Sequence, residues 1–363
     1  MKLFQNSGLY PAYLTRLNRL AGGSTTFAQR RQVFLADRFG ASHSLKPVLD
    51  AEPDAFFTNG DDATLQRLWA REHGLPEKAS LEDILLAQIE AHRTEVFYNV
   101  DPMRYASAFL KRLPGTVRTK IAWRAAPSPG VDFNGYDLVV CNFNGILDGY
   151  RRAGLNAAWF APAHDPVMDT YAANTDRPTD VLFVGGYSRH HRRRAAILES
   201  VAARNKHLNI VFHLDRSRLT RLAESPLGRL LPMRSHRRPQ QIRAVAAEPV
   251  FGIDLYAALS TAKIVLNGAV DMAGQDRGNM RCFEAMGCGA LMVSDAGNYP
   301  AGMVNGQTMR TYADANEATT IIETLLADPF TLRTLAESGH RTVAHEYGKA
   351  KQWQAFQQLV GAL

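Results

Sequence analysis

The chain has 363 residues, 46% of them hydrophobic and 21% charged, with a net charge of +7 at neutral pH. These proportions are those of a folded soluble protein, and the length exceeds one ordinary core, so two domains of usual size are expected. No apolar run approaches the length that spans a bilayer, and the N-terminus leads straight into a strand pattern, so no leader is expected.

The first half alternates strand and helix signals. Lys2–Gln5 is an apolar strand, followed by helical patterns over Pro11–Leu20 and Thr26–Phe39. Ala55–Thr58 is a short buried strand ending at Asn59-Gly60-Asp61-Asp62, whose acids suit the start of a helix over Ala63–His73. Ser80 is placed to cap a helix over Leu81–His92. Strand-like runs follow at Glu95–Val100, Thr119–Trp123 and Leu138–Asn142, then a helix at Ile146–Ala153 and a strand at Ala157–Phe160. Strand and helix taking turns over short loops predicts an α/β fold, with a mostly parallel sheet covered on both faces.

The stretch Ala161–Pro178 holds three prolines and no sustained period, and reads as an interdomain connection. The rhythm then restarts with a strand at Asp180–Val184, a helix at His191–Arg204 and a strand at Leu208–Leu214. After a basic section, Ser225–Pro239, come a helix at Asp254–Thr261, a strand at Lys263–Asn267, a short helix at Arg281–Met286 and a strand at Ala290–Val293. Helices fill Asn316 to Val360.

Cys141, Cys282 and Cys288 are an odd count in apolar surroundings, which fits a reducing cytoplasm better than a disulfide framework. Charge is unevenly spread. Between Tyr187 and Arg243, 14 Lys and Arg face three acids, a local +11 that leaves −4 for the rest of the +7 chain. Such a patch suits a phosphorylated small molecule, an anionic membrane or nucleic acid. No helix-turn-helix, zinc spacing or aromatic-bearing RNA motif accompanies it, so nucleic acid is set aside. Contact with anionic lipid stays open, particularly around Arg234-Ser235-His236-Arg237-Arg238.

Two places concentrate candidate chemistry. At Val184-Gly185-Gly186-Tyr187-Ser188-Arg189, a strand meets a glycine turn and then a helix whose first turn carries Arg192, Arg193 and Arg194. Cations at a helix N-terminus oppose its dipole, so an anion bound at the turn would compensate, using free N–H groups and an arginine. Arg189 is the arginine assigned to that anion, while Arg192 and Arg194 are expected to splay into solvent. The second place is Asn279-Met280-Arg281-Cys282-Phe283-Glu284, where Arg281 and Glu284 share a helix face beside Asn279. A surface ion pair there would be worth little. A polar recognition edge at the rim of an α/β sheet is the functional alternative.

Metal chemistry has little support, because no C-x-x-C or Asp-x-Asp pair occurs, and no metal or cofactor is expected. Acid–base candidates are His43, Asp61, Asp101, His164 and Asp165. Each has a plain alternative: Asp61 as a helix cap, Asp101 as a turn residue before Pro102, His164 and Asp165 as hinge residues.

Asp180–Arg194, Asn267 and Asn279-x-Arg281-x-Phe283-Glu284-Ala285-Met286-Gly287-Cys288-Gly289 together resemble the donor half of GT-B glycosyltransferases. More narrowly they resemble the bacterial group 1 enzymes typified by spore maturation proteins, whose hallmark N-x-R-x-F-E stands here as Asn279, Arg281, Phe283 and Glu284. The resemblance implies two Rossmann-like domains facing across a cleft. It puts Glu284 at the second acid of the family's Glu-x7-Glu motif, where the ribose of a nucleotide sugar is held. The first acid, which touches the donor sugar, falls on Asp276. Gly185-Gly186 and Tyr187 match the family's glycine turn, with Arg189 and Arg193 as the nearest diphosphate-binding residues. The C-terminal helix bearing Trp353 and Phe356 resembles the one that returns to the first domain.

The resulting expectation is an acceptor-side domain over 1–165, a linker over 166–179, a donor domain over 180–345 and a returning helix over 346–363. The expected reaction is metal-independent transfer of a sugar from a nucleotide-diphosphate donor to an acceptor hydroxyl, with retention favoured, in bacterial glycan or glycoconjugate synthesis. Asp276, His43 and Asp101 are the catalytic candidates; Gly185, Gly186, Tyr187, Arg189, Arg193, Asn279, Arg281 and Glu284 are the donor-binding ones. A non-catalytic protein binding a phosphorylated ligand or anionic surface, and a nucleotide-sugar epimerase of similar build, remain as alternatives. The expected location is the cytoplasm, with peripheral contact to the inner membrane face open.

Overall fold

The structure, a computed structural model, describes residues 1–230, 232–268 and 273–363. The chain forms two compact units, Met1–Ala163 with Tyr347–Leu363, and His164–Glu346.

The first unit is built on six parallel strands: β1 (Leu3–Asn6), β2 (Ala55–Thr58), β3 (Val96–Asn99), β4 (Thr119–Trp123), β5 (Leu138–Cys141) and β6 (Ala157–Trp159). Their spatial order is β2-β1-β3-β4-β5-β6, a doubly wound, flavodoxin-like order whose strand numbering reverses direction between β1 and β3. The strands are short apolar runs buried on both faces, as parallel sheets require. Helix starts follow local chemistry. Asp62 accepts from the N–H groups of Thr64 and Leu65 to open the helix Ala63–Glu72, and Ser80 forms a capping box with Asp83 before Leu81–His92. The C-terminal helix Lys349–Gly361 belongs to this unit. Its buried Lys349 ammonium donates to the carbonyls of Ala41, Ser42 and Ser44 at 2.7, 3.2 and 2.7 Å. Phe356, fully buried, packs on Tyr98 with ring centroids 5.0 Å apart.

The second unit holds β7 (Thr179–Gly185), β8 (Ile210–Leu214), β9 (Ala246–Ala247), β10 (Ala262–Leu266), β11 (Leu291–Asp295) and β12 (Arg310–Tyr312). All pairings are parallel, in the order β12-β11-β10-β7-β8-β9, which is the dinucleotide-fold order with its switch point between β7 and β10. Alternation along β7 separates the two cores. Val181 and Phe183 pack with Ile197 and Leu198 on one face, while Leu182 packs with Val265, Ala285 and Cys288 on the other. Edge strands β9 and β12, of two and three residues, are too short to leave a period in the sequence.

The segment read as a linker, 166–179, folds within this second unit. Its residues Val167–Ala172 form a helix, and Met168 is fully buried among Leu182, Leu255 and Val265. Of the three prolines that suggested a connection, Pro166 stands at the helix's N-cap position, Pro162 lies in the loop before it and Pro178 directly precedes β7. Gly287 lies inside the helix Met280–Gly287, where a Cβ would come within 2.4 Å of the Met168 sulfur; Gly289, not Gly287, takes the left-handed φ of +73°.

Candidate functional site

In an open doubly wound sheet, ligands bind beyond the carboxyl ends of the strands at the switch point. In the second unit that edge is formed by the turn after β7, the end of β8, Asn267 after β10, Asp295 at the end of β11 and the helix Met280–Gly287.

The helix is anchored from its first residue. Asn279 at the N-cap position exchanges amide hydrogen bonds with Asn267, each 3.2 Å, and Asn267 also donates to Ser294 Oγ at 3.1 Å. The Tyr312 hydroxyl donates to the Asn267 carbonyl at 2.5 Å. Asn279 thus ties the helix to the sheet instead of capping it, and the first-turn N–H groups receive no side-chain cap.

One turn on, Arg281 Nη1 donates to Glu284 Oε2 at 2.7 Å. Glu284 is only 3% exposed, and burial pushes its carboxyl above the ordinary range, against a smaller downward pull from Arg281. This is therefore no solvent-washed ion pair. Among the described residues, Arg281 is the side chain that bonds the Glu284 carboxylate. Arg281 also faces His213 at the end of β8, whose imidazole is held low by burial and then by the arginine's charge. His213 Nδ1 lies 2.5 Å from the Glu248 carbonyl, which assigns the proton to Nδ1 and leaves Nε2 as an acceptor.

The glycine turn holds a second cation. Arg194 lies in the first turn of the helix Arg192–Ala202, and its guanidinium sits 5.0 Å from the centre of the Phe183 ring. A Cβ on Gly185 would approach Arg194 Nη2 to 2.7 Å, so the bare glycine backbone makes room for the arginine. Its buried Nε has no hydrogen-bond partner, and desolvation pulls its pKa down. The expectation that Arg194 splays into solvent is corrected here. Helical side chains lean toward the N-terminus, so an arginine in the first turn reaches back over the strand end. Arg189 instead lies in the preceding loop, exposed, donating to the Arg237 carbonyl at 2.8 Å. Arg193, also exposed, donates to the Ala313 carbonyl at 2.8 Å, and Tyr187 OH donates to Glu199 at 2.6 Å. Gly186 has open space where a Cβ would stand.

Asp276 lies in a loop pinned from both sides. Its backbone bridges to Asn298, and Arg277 donates to the Gly274 and Asp276 carbonyls at 2.8 and 3.0 Å. Arg277 also forms a buried ion pair with Asp295, 2.7 Å, both side chains 7% exposed. His213, Arg194, Arg277 and Asp295 are site residues that sequence reasoning missed. For His213 and Asp295 a signal existed, since each is a polar residue at the carboxyl end of an otherwise apolar strand.

In the first unit, Asp61 and Asp101 come together beyond β2 and β3. Asp101 Oδ2 accepts from Arg104 Nε at 3.3 Å, Arg104 reaches Asp61 at 3.9 Å, and Asp61 Oδ2 accepts from the Leu9 N–H at 3.0 Å. Burial raises both carboxyls, and Asp61 raises Asp101 further. The buried Tyr105 hydroxyl senses both charges and has no hydrogen-bond partner. His43 packs on Trp123 with centroids 4.5 Å apart, and burial plus the Lys349 charge push its imidazole down to about 3. It is a neutral ring of low basicity. His164, in the second unit, is buried and bonds Asp169 at 2.8 Å. Among the described residues no three His, Cys, Asp or Glu side chains group as a metal site requires.

Residues 189–358 match the glycosyl transferase-like family. No curated protein sequence matches the chain. Solved structures similar to it include the Anabaena protein HepE in complex with UDP, at 16% identity over the whole of both chains with a TM-score of 0.57. An alpha-glucosyltransferase in complex with UDP-glucose and DNA matches at 9% identity over 99% of this chain and 98% of that one, TM-score 0.58. Sucrose-phosphate synthase from Thermosynechococcus elongatus matches at 13% identity over 99% of both, TM-score 0.50. The structural likenesses give the GT-B fold of two Rossmann-like units, and the likeness to the glycosyl transferase-like family lies in residues 189–358.

Proposed function

We propose that the second unit binds a nucleoside-diphosphate sugar at the carboxyl edge of its sheet, and that the first unit presents the acceptor hydroxyl. The carrying observation is the pair of cations at one edge of the sheet, Arg194 under the glycine turn with an unpartnered Nε and Arg281 on the buried Glu284. Glu284, ionised, accepts from the ribose hydroxyls. Arg194, Arg281 and the N–H groups of Gly185, Gly186 and Tyr187 receive the diphosphate, with Arg189 and Arg193 at the outer rim. Stabilising charge that develops on the leaving diphosphate is the main catalytic demand, and preorganised cations and amides meet it without a metal ion. HepE and the alpha-glucosyltransferase, as crystallised, hold UDP or UDP-glucose, so uridine donors come first in a screen.

Asp276 is assigned to the donor sugar, with retention of configuration, and Asn279 to orienting Arg281. Asp101, raised by burial and by Asp61, takes the acceptor proton. His43 supports the acceptor side as a neutral ring. The enzyme is assigned to the cytoplasm in bacterial glycan synthesis, resting on anionic membrane through its basic segment; none of the described helices is long and apolar enough to cross a membrane. Calorimetry against UDP-, GDP-, ADP- and dTDP-sugars tests the donor site. Binding that Glu284→Ala weakens severely is expected, and no binding to any of them would sink the proposal.

A further inference from the structure

The basic segment that follows β8 carries more than charge. The helix Arg218–Glu224 begins at Ser217, whose hydroxyl accepts from the Thr220 N–H, and it buries only Ala223. Leu219 and Leu222 on this helix are 50% and 46% exposed, and Leu227 and Leu230 just beyond it are 74% and 85% exposed. Among the described residues, these four leucines are a third of the twelve exposed large hydrophobic side chains, gathered in twelve residues of chain. Scattered exposed leucines need no explanation, but a cluster marks a surface that meets something apolar.

Arg218 and Arg221 are exposed on the same helix, and helical spacing sets them in a stripe beside that of Leu219 and Leu222. From Arg216 to Arg243 the sequence has eight arginines and one acid, Glu224. That acid is already neutralised, held by Arg238 through bonds of 2.7 and 2.6 Å in a nearly buried pair. Arg237 fixes the loop's shape by donating to the carbonyls of Ala223 and Gly228 at 3.1 and 3.0 Å. The leucines are therefore presented on a braced scaffold, inside a segment with a large excess of positive charge.

We infer that this surface docks on an anionic lipid bilayer, with Leu219, Leu222, Leu227 and Leu230 entering the acyl boundary and Arg218 and Arg221 meeting lipid phosphates. Leucine beside arginine on a short helix is the pattern of an interfacial element, in which apolar burial and attraction to anionic headgroups add. A second copy of the chain would bring the same positive charge to the contact, which disfavours self-docking. Nucleic acid would leave the leucines in water. The anionic surface is shared with the membrane contact proposed above; insertion of these leucines is the added claim and does not depend on the donor site.

The test is co-sedimentation with vesicles of phosphatidylcholine alone and with about a third phosphatidylglycerol. The native chain sediments with the anionic vesicles and not with neutral ones. The pair Leu227→Asp and Leu230→Asp lowers the partition coefficient at least about tenfold, as does Arg218→Glu with Arg221→Glu, with donor turnover in solution and circular dichroism unchanged. Raised salt weakens binding without abolishing it. If the leucine variant binds like the native chain, or salt alone removes all binding, insertion is wrong and only the charge reading survives. No vesicle binding, tighter binding to a homopolymeric RNA than to anionic vesicles, or a dimer lost in the leucine variant overturns the inference outright.

Discussion

Arg194 gives the sharpest single-residue prediction, because its two expected effects differ so much in size. In the free protein its guanidinium is partly desolvated, has an unpartnered Nε and rests on the Phe183 ring 5.0 Å away. The ring contact stabilises by about 0.5–2 kcal/mol and desolvation opposes it by a similar amount. Arg194→Met keeps the apolar stem and removes both, so folding stability should move by less than about 1 kcal/mol. Bound to a diphosphate, the same group makes charge-assisted hydrogen bonds worth about 1.5–3 kcal/mol, so its loss weakens binding roughly 10- to 150-fold. Calorimetry with UDP and with uridine separates the contributions. UDP affinity should fall by that factor while uridine affinity stays level, and thermal unfolding should barely shift. Equal losses for UDP and uridine, or no loss for either, would refute the assignment of Arg194 to the phosphates.

Further outcomes follow from the same geometry. Gly185→Ala puts a Cβ 2.7 Å from Arg194 Nη2 and 3.1 Å from the Phe183 ring, so it should reproduce most of the Arg194→Met loss in UDP affinity. Burial raises Glu284 above its ordinary 4.5, so ionising it opposes folding and the free protein loses stability as pH rises through the raised value. Donor binding needs the ionised form and runs the other way, weakening as pH falls through that raised value; titration calorimetry should show this limb, and Glu284→Gln should flatten it. Asp101→Asn should lower kcat by about 10²–10⁴. Asp61→Asn removes a charge that raises Asp101, so the acidic limb of the rate profile should move to lower pH. Lys349→Met strips three backbone carbonyls of a buried cation and should destabilise the first unit by roughly 3 kcal/mol, seen as a Tm lower by about 5–10 °C.

The sequence carried the long features well. Strands such as Leu138–Cys141 and helices such as Leu81–His92 announce themselves through apolar runs and caps, and Asn279, Arg281 and Glu284 stand out because polar residues interrupt an apolar pattern. What it hid is set by three-dimensional reach. Adjacent arginines 192 to 194 look alike in a string, yet only Arg194 in the first helical turn leans back over Phe183. Segment 166–179 reads as a connection because prolines break its period, although Met168 is core. The pairing of Asp61 with Asp101 joins residues forty positions apart through loops whose sequence has no period at all.

The central claim is transfer of sugar from a nucleoside-diphosphate donor held at the Arg194–Arg281–Glu284 edge. Its most direct measurement is release of nucleoside diphosphate from labelled donors by the native chain, Arg194→Met and Glu284→Ala, each assayed with and without a panel of hydroxyl acceptors. Release from at least one donor, accelerated by an acceptor and sharply reduced in both variants, is the predicted result. Release that both variants sustain at the native rate, or none from any donor, would contradict it.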